Sequence, residues 1–307
     1  MKQRPMNQIR GVVPVLQTPF TSDGAQVDEE DLRNVVEAVI RDGAAGLMLF
    51  GFATEFAALS DAERDGMLRV ALETAAGRIP VIPSVTKTTA AEVMADAAQY
   101  AAAGAPAVMV LPRFKEDFVA TLQAVARQIG DRRPLFVQYM PQNTGVAVRI
   151  EDFIRLCDSI PNPLAIKAEP PQAGQFIEAL HRASSGRIAL FTGNQGIALY
   201  EALDRGAVGV MPGCSIVAVY AKIVREFLNG SKDRAFALYN RLVPYLNVFH
   251  GPHELQFEKR ILVKRGIFKT DVCRNKPDSA KSLDAHMEAY LWKYYDYLKE
   301  QFPADVL

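Results

Sequence analysis

Lys167 stands inside an apolar run, LAIKA (164–168), that Pro170 and Pro171 close almost at once. An ammonium buried without a partner is costly. Such a lysine is either paired with a carboxylate, here Glu169 or Glu55, or it serves as a neutral amine that attacks a carbonyl carbon. Other groups able to do chemistry gather at the ends of apolar runs. Gln138 and Tyr139 lie in VQYMPQNTG (137–145) with Asn143, Thr54 and Glu55 lie in GFATEF (51–56), Gly193 lies in FTGNQG (191–196), and Met211 and Cys214 lie in VMPGCS (210–215). A lone cysteine such as Cys214 reads first as a small buried group. His250 and His253 form an H-x-x-H across Gly251 and Pro252, with no carboxylate-rich strand end beside it, and read as surface or packing residues.

The elements that must position these groups follow one recurring pattern. A helix-period segment ends in glycine, a small residue or two follow, and an apolar strand begins: RDGAAGLMLFG (41–51), AAGAPAVMVLP (102–112) and DRGAVGVMPG (204–213). Glycine ends a helix readily because it enters the left-handed conformation without a Cβ clash. Ser60 to Glu63 and Thr89 to Glu92 read as capping boxes. Strands are expected near 11–17, 46–51, 80–85, 107–111, 135–140, 163–168, 188–192 and 208–212. Helices are expected near 28–42, 61–76, 89–103, 116–129, 150–158, 173–184, 195–205 and 216–228. Eight continuous apolar strands alternating with eight helices predict an α/β fold, a (β/α)8 barrel over residues 1–230. The open doubly wound sheet is the alternative, and the absence of any G-x-G-x-x-G or G-x-x-x-x-G-K-[ST] weakens it. Residues 231–307 are helical and aromatic with no strand. They read as a C-terminal helical extension packed on the barrel, with a short helix near 254–265. In a barrel of this kind the active site lies at the carboxyl ends of the strands, where the groups above are found.

Composition narrows the classes. The chain has 307 residues, with 35 basic and 35 acidic side chains and a formal net charge of zero. No basic surplus points to nucleic acid. The longest apolar run, 101–112, is too short for a bilayer and is broken by Gly104 and Pro106. Three scattered cysteines suggest neither a disulfide framework nor a zinc site and fit a reducing, cytoplasmic compartment. The basic start, MKQRPMNQIR, lacks the apolar stretch of a secretory signal.

Four segments, in order and spacing, resemble the N-acetylneuraminate lyase and dihydrodipicolinate synthase superfamily. They are GVVPVLQTPFTSDGAQVDEEDL (11–32), GFATEFAALSDAER (51–64), YMPQNTG (139–145) and IKAE (166–169). The resemblance implies an eight-stranded barrel with a three-helix tail, a homotetramer, and Schiff-base chemistry of Lys167 on a 2-oxo acid such as pyruvate, without metal or organic cofactor. It also implies substrate-binding roles at Gly51, Ala53, Thr54, Glu55, Asn143, Gly193 and Met211. Departures bear on the substrate. Phe52 and Ala53 stand where the family has two hydroxyl residues. Gln138 stands at the place of the family's tyrosine, with Tyr139 one residue later. Neighbours on a strand face opposite sides, so Gln138 is expected inward unless a bulge re-aims Tyr139. Asn143 stands where the synthases carry an arginine for a second carboxylate. Two neutral amides suit hydroxyl groups better than a carboxylate, and the pattern looks like the sugar-acid branch that includes L-2-keto-3-deoxyarabonate dehydratase. Aldol cleavage, aldol addition and dehydration remain open at this stage. So do a diverged synthase and a non-catalytic barrel that senses an oxo acid.

Overall fold

The structure, a computed structural model, describes residues 9–274 and 283–303. Most of the basic start therefore lies outside the described residues. The strands are β1 Gly11–Val12, β2 Leu47–Leu49, β3 Val81–Val85, β4 Val108–Val110, β5 Leu135–Tyr139, β6 Leu164–Ala168, β7 Ala189–Thr192 and β8 Gly209–Val210. The helices are α1 Glu29–Arg41, α2 Asp61–Ala75, α3 Ala90–Ala102, α4 Phe118–Ile129, α5 Pro141–Thr144, α6 Ile150–Ser159, α7 Ala173–Ala183, α8 Leu199–Asp204, α9 Val217–Leu228, α10 Lys232–Phe249, α11 Glu254–Lys264 and α12 Ala285–Gln301. One sheet runs in the order β1-β8-β7-β6-β5-β4-β3-β2, and the alternation of strand and helix is that of the (β/α)8 barrel followed by helices. Among the described residues no helix is long and apolar enough to cross a membrane.

The chain parts into two compact units, one made of the residues up to Gly11 with Pro80–Met211, the other of Val12–Ile79 with the residues from Pro212 onward. The first unit holds β3 to β8, all parallel. Every residue of β5, β6 and β7 is buried, as expected for strands covered on both faces. Register decides which side chains meet, because residues paired across parallel strands point to the same side. Gln138 pairs with Lys167, and Lys167 pairs with Phe191. Phe136 and Phe191, with ring centroids 6.0 Å apart, fill the apolar layer of that face.

In the second unit Val15 bridges Met48 on one side and Gly213 on the other. The strand expected over 11–17 is shorter because Pro14 has no N–H to donate; its carbonyl still accepts from Met48 N–H at 2.8 Å. The Asp28 carboxylate caps α1 by accepting from Asp31 N–H at 3.1 Å. Ser60 and Glu63 form the expected capping box on α2. Aromatic packing joins the terminal helices: Phe249 of α10 lies 6.2 Å from Phe257 of α11, which meets Trp292 of α12 edge-on at 4.7 Å.

Candidate active site

In the first unit β6 carries Lys167 and, two residues on, Glu169 to the same face. Both are 5% exposed. Lys167 Nζ lies 3.5 Å from Glu169 Oε1. Glu169 is held from three directions. Gln138 Nε2 donates to Oε2 at 2.6 Å, Asn194 N–H donates to Oε1 at 2.9 Å, and Glu169 N–H is anchored on the Tyr139 carbonyl at 2.8 Å. Gly193 makes the room: a Cβ there would lie 2.1 Å from Glu169 Oε1. The carboxylate therefore occupies the space that a side chain at 193 would fill. Beyond Gly193 the backbone is strained. Asn194 and Gln195 both take left-handed φ values, 47° and 52°, which non-glycine residues adopt at a cost, often at functional sites. For this reason the helix expected from 195 begins at Leu199.

Gln138 is on the Lys167 face, as its register requires. Its Nε2 is engaged while its Oε1 is buried with no partner among the described residues. A buried acceptor left unpaired is unfavourable, and it suits a substrate hydroxyl or amine donor. Tyr139 is placed elsewhere. Its ring packs against Phe153 at 5.3 Å and Phe176 at 4.9 Å. Its hydroxyl donates to Val148 O at 3.1 Å and accepts from Val148 N–H at 3.3 Å. Period-two alternation sends Tyr139 to the opposite side of β5 from Lys167, and no bulge reverses it. Asn143 is exposed on α5, with its N–H bonded to Met140 O. Met211 is 1% exposed and donates its N–H to Thr192 O at 2.8 Å.

In the second unit the turn after β2 is tightly built. A Cβ on Gly51 would lie 2.8 Å from Val15 Cγ1, so only glycine fits. Gly51 N–H donates to Thr54 Oγ1 at 3.2 Å, and the Thr18 hydroxyl donates to Thr54 O at 2.6 Å. Ala53 is half-buried, and Phe52 is 49% exposed and edge-on to Phe56. Glu55 has left-handed φ, 58°, is fully buried, and pairs with the Lys259 ammonium. Of the two carboxylates expected as the partner of Lys167, Glu169 is the one paired with it, and Glu55 pairs with Lys259.

Sequence reasoning named Glu169 only as an ion-pair partner and missed its hold on Gln138; the signal was a second polar residue two positions after the lysine. His250 Nδ1 lies 3.0 Å from Glu254 and His253 Nε2 lies 3.0 Å from Val248 O. Among the described residues no group of His, Cys, Asp or Glu is placed to hold a metal ion.

Comparison with known proteins agrees with this fold. Residues 8–287 match the dihydrodipicolinate synthetase family. A 4-hydroxy-tetrahydrodipicolinate synthase of Xanthomonas axonopodis pv. citri is 31% identical over 244 residues, 78% of this chain and 80% of that one. An L-2-keto-3-deoxyarabonate dehydratase of Azospirillum brasilense is 26% identical over 272 residues, 85% of this chain and 86% of that one. Among solved structures, a putative dihydrodipicolinate synthetase from Pseudomonas aeruginosa superposes with a TM-score of 0.83 at 26% identity, covering 94% of this chain and 99% of that one.

Proposed function

From the premise that this chain belongs to the dihydrodipicolinate synthetase family, we propose that it is a Schiff-base-forming lyase acting on a 2-oxo acid, and that the acid is a five- or six-carbon 2-keto-3-deoxy sugar acid. One observation carries the reading: a buried carboxylate, Glu169, lies 3.5 Å from Lys167 and is held by a glutamine at the place where the family has its tyrosine. Lys167, as the free amine, attacks C2 of the oxo acid. Glu169 takes the proton that the ammonium sheds and returns it to the C2 oxygen; a second proton then passes from the nitrogen through the same carboxylate to that oxygen, which departs as water. The imine then draws electrons from C3. Loss of a C3 proton to Glu169 and its return to the C4 hydroxyl, which leaves as water, gives dehydration; aldol addition starts from the same enamine, and aldol cleavage of the C3–C4 bond, with the C4 hydroxyl proton lost to the carboxylate, ends at it. The unpaired Oε1 of Gln138 supports a hydroxylated substrate, which supplies the missing donor.

The Gly51–Thr54 turn and Gly193 carry over substrate roles from the resemblance, Gly193 through the space it gives Glu169. A homotetramer and a cytoplasmic location carry over on the same ground. A second reading is a diverged synthase that condenses pyruvate with an aldehyde, favoured by the 31% identity to a named synthase. Measuring kcat/KM decides between them. A keto-deoxy sugar acid is expected to be processed far faster than pyruvate condenses with aspartate semialdehyde, because a site built for hydroxyls rejects analogues that lack them. The reverse ranking overturns the sugar-acid reading.

A further inference from the structure

A second buried carboxylate, Glu258 on α11, is 2% exposed and takes no part in the chemistry above. It lies within the second unit and joins two strand-end segments. From the segment after β1, Gln17 Nε2 donates to Oε2. From the segment after β8, Ser215 donates through its hydroxyl at 2.9 Å and its N–H at 3.4 Å, both to Oε1. The carboxylate rests on Gly213, where a Cβ would lie 2.0 Å from Oε1. Residue 18, the neighbour of Gln17, holds the Thr54 carbonyl through its hydroxyl at 2.6 Å. A continuous chain of contacts thus runs from Glu258 through Gln17 and Thr18 to the Gly51–Thr54 turn.

We infer that Glu258 is a positioning residue for oxo-acid binding: its carboxylate pins the segments after β1 and β8 and, through Thr18, sets the Gly51–Thr54 turn. The inference rests on the reading that this turn serves the oxo acid. The orientation of Gln17 supports it. The amide turns its NH2 to Glu258 and leaves its own Oε1 buried without a partner, the arrangement that a charged acceptor demands. The same geometry makes the pin sensitive to protons. A protonated carboxyl puts a donor opposite the Gln17 NH2, and two donors repel. Burial pushes the Glu258 carboxyl up from 4.5 to about 7, helped by Glu254 and opposed by the bonds from Ser215 and Gln17. The other groups facing it are Tyr220 on α9, Tyr245 on α10 and the Cys214 thiol; Arg265 acts on Cys214 and donates to the Ser215 carbonyl at 2.6 Å. Tyr220, Tyr245 and Cys214 are all pushed upward by burial and stay neutral through this range, so Glu258 is the member of the cluster that titrates near neutrality.

The test compares the full-length protein with Glu258→Gln and Glu258→Ala between pH 5.5 and 8.5. One readout is borohydride trapping of pyruvate, followed as apparent affinity and as limiting rate. The other is amide hydrogen exchange of peptides covering 14–18 and 51–55. In the parent protein apparent affinity is expected to weaken about tenfold as pH falls below about 7, the scale of one charge-assisted hydrogen bond, with the limiting rate little changed beyond the trend shared by all three proteins. Glu258→Gln removes that break and is flat. Glu258→Ala exchanges at least several-fold faster at both segments and binds weakly at every pH. An unchanged pH break in Glu258→Gln, or unchanged exchange in Glu258→Ala, overturns the inference. Failure of the parent protein to trap pyruvate at all defeats the lyase reading instead, and the exchange result then judges Glu258 by itself.

Discussion

Lys167 and Lys259 are both buried, each in its own unit, and each faces a carboxylate, yet their surroundings differ in kind. Lys259 is wholly enclosed. Its ammonium donates to Glu55 and to the Val272 carbonyl at 2.7 Å, and it sits 4.5 Å from the centre of the Phe20 ring. That ammonium is saturated by a carboxylate, a carbonyl and a π face, so removing it would strand all three. Lys167 instead meets its carboxylate at 3.5 Å, and that carboxylate is shared with Gln138 and Asn194. The Lys167 amine, with its carboxylate at 3.5 Å, can turn toward a carbonyl carbon with little rearrangement. Burial alone therefore does not distinguish the two lysines; the completeness of the ammonium's own coordination does, and it is the ground on which the nucleophile is proposed at Lys167.

The largest expected effect breaks this comparison at its root. Borohydride reduction in the presence of pyruvate should add one pyruvate-derived group per chain, on the peptide carrying Lys167. Lys167→Ala should show none. Lys259→Met should keep the adduct but lose about 3–5 kcal/mol of stability, because Glu55 is left as an uncompensated buried charge. Calorimetry and mass mapping check both. An adduct on Lys259, or one that survives Lys167→Ala, reverses the assignment.

Next in size is the carboxylate beside Lys167. Glu169→Gln is isosteric and should lower kcat by about 10²–10⁴-fold, the range of general acid–base groups, while the fold is kept. Gly193→Ala should lose activity on a similar scale for a different reason: its φ of −104° suits alanine, but the new Cβ collides with Glu169. If Gly193→Ala retains full activity, Glu169 has no fixed position to lose.

A smaller effect concerns stability against pH. Glu258 carries a raised folded-state pKa, about 7 against an ordinary value of 4.5, so between these values the folded protein holds a proton that the unfolded chain has released. Its contribution is fully present below pH 4.5 and is lost as pH rises through about 7. The loss is on the order of 3 kcal/mol. Thermal melting of Glu258→Gln should lack that decline, so the difference between variant and parent grows from pH 4.5 to 7 and then levels. Parallel curves would remove the buried charge from the account.

How much of this was legible in the sequence follows from range. The strand at 164–168 and the place of Lys167 in it rest on local signals, an apolar run and two prolines, and both strand and lysine are where these put them. Gln138 on the Lys167 face follows from period-two alternation within one strand. The pairing of Glu55 with Lys259 joins residues 204 apart, and that of Gln17 with Glu258 joins residues 241 apart; no periodicity encodes such contacts. The glycines held a partial signal. Gly193 and Gly213 each follow a strand, and each lacks the Cβ that a carboxylate replaces, Glu169 in one case and Glu258 in the other. The sequence marks an empty place but not the side chain that fills it.

The smallest expected effect lies at Tyr139, one residue from Gln138. The phenol exchanges two hydrogen bonds with Val148 and packs between Phe153 and Phe176. Tyr139→Phe keeps the ring contacts and removes the hydroxyl, so the Val148 N–H and carbonyl lose their partner. The cost should be about 1–3 kcal/mol, the penalty of leaving a buried polar group unsatisfied. Turnover should stay within about twofold of the parent, whereas Gln138→Ala should lower it more, because it frees Glu169 from its 2.6 Å bond. Steady-state kinetics on the two variants, with melting curves beside them, separate the roles. A drop of about 100-fold in Tyr139→Phe, the lower scale of a proton-transferring group, would place the phenol in the chemistry and mean that β5 turns its other face to the substrate.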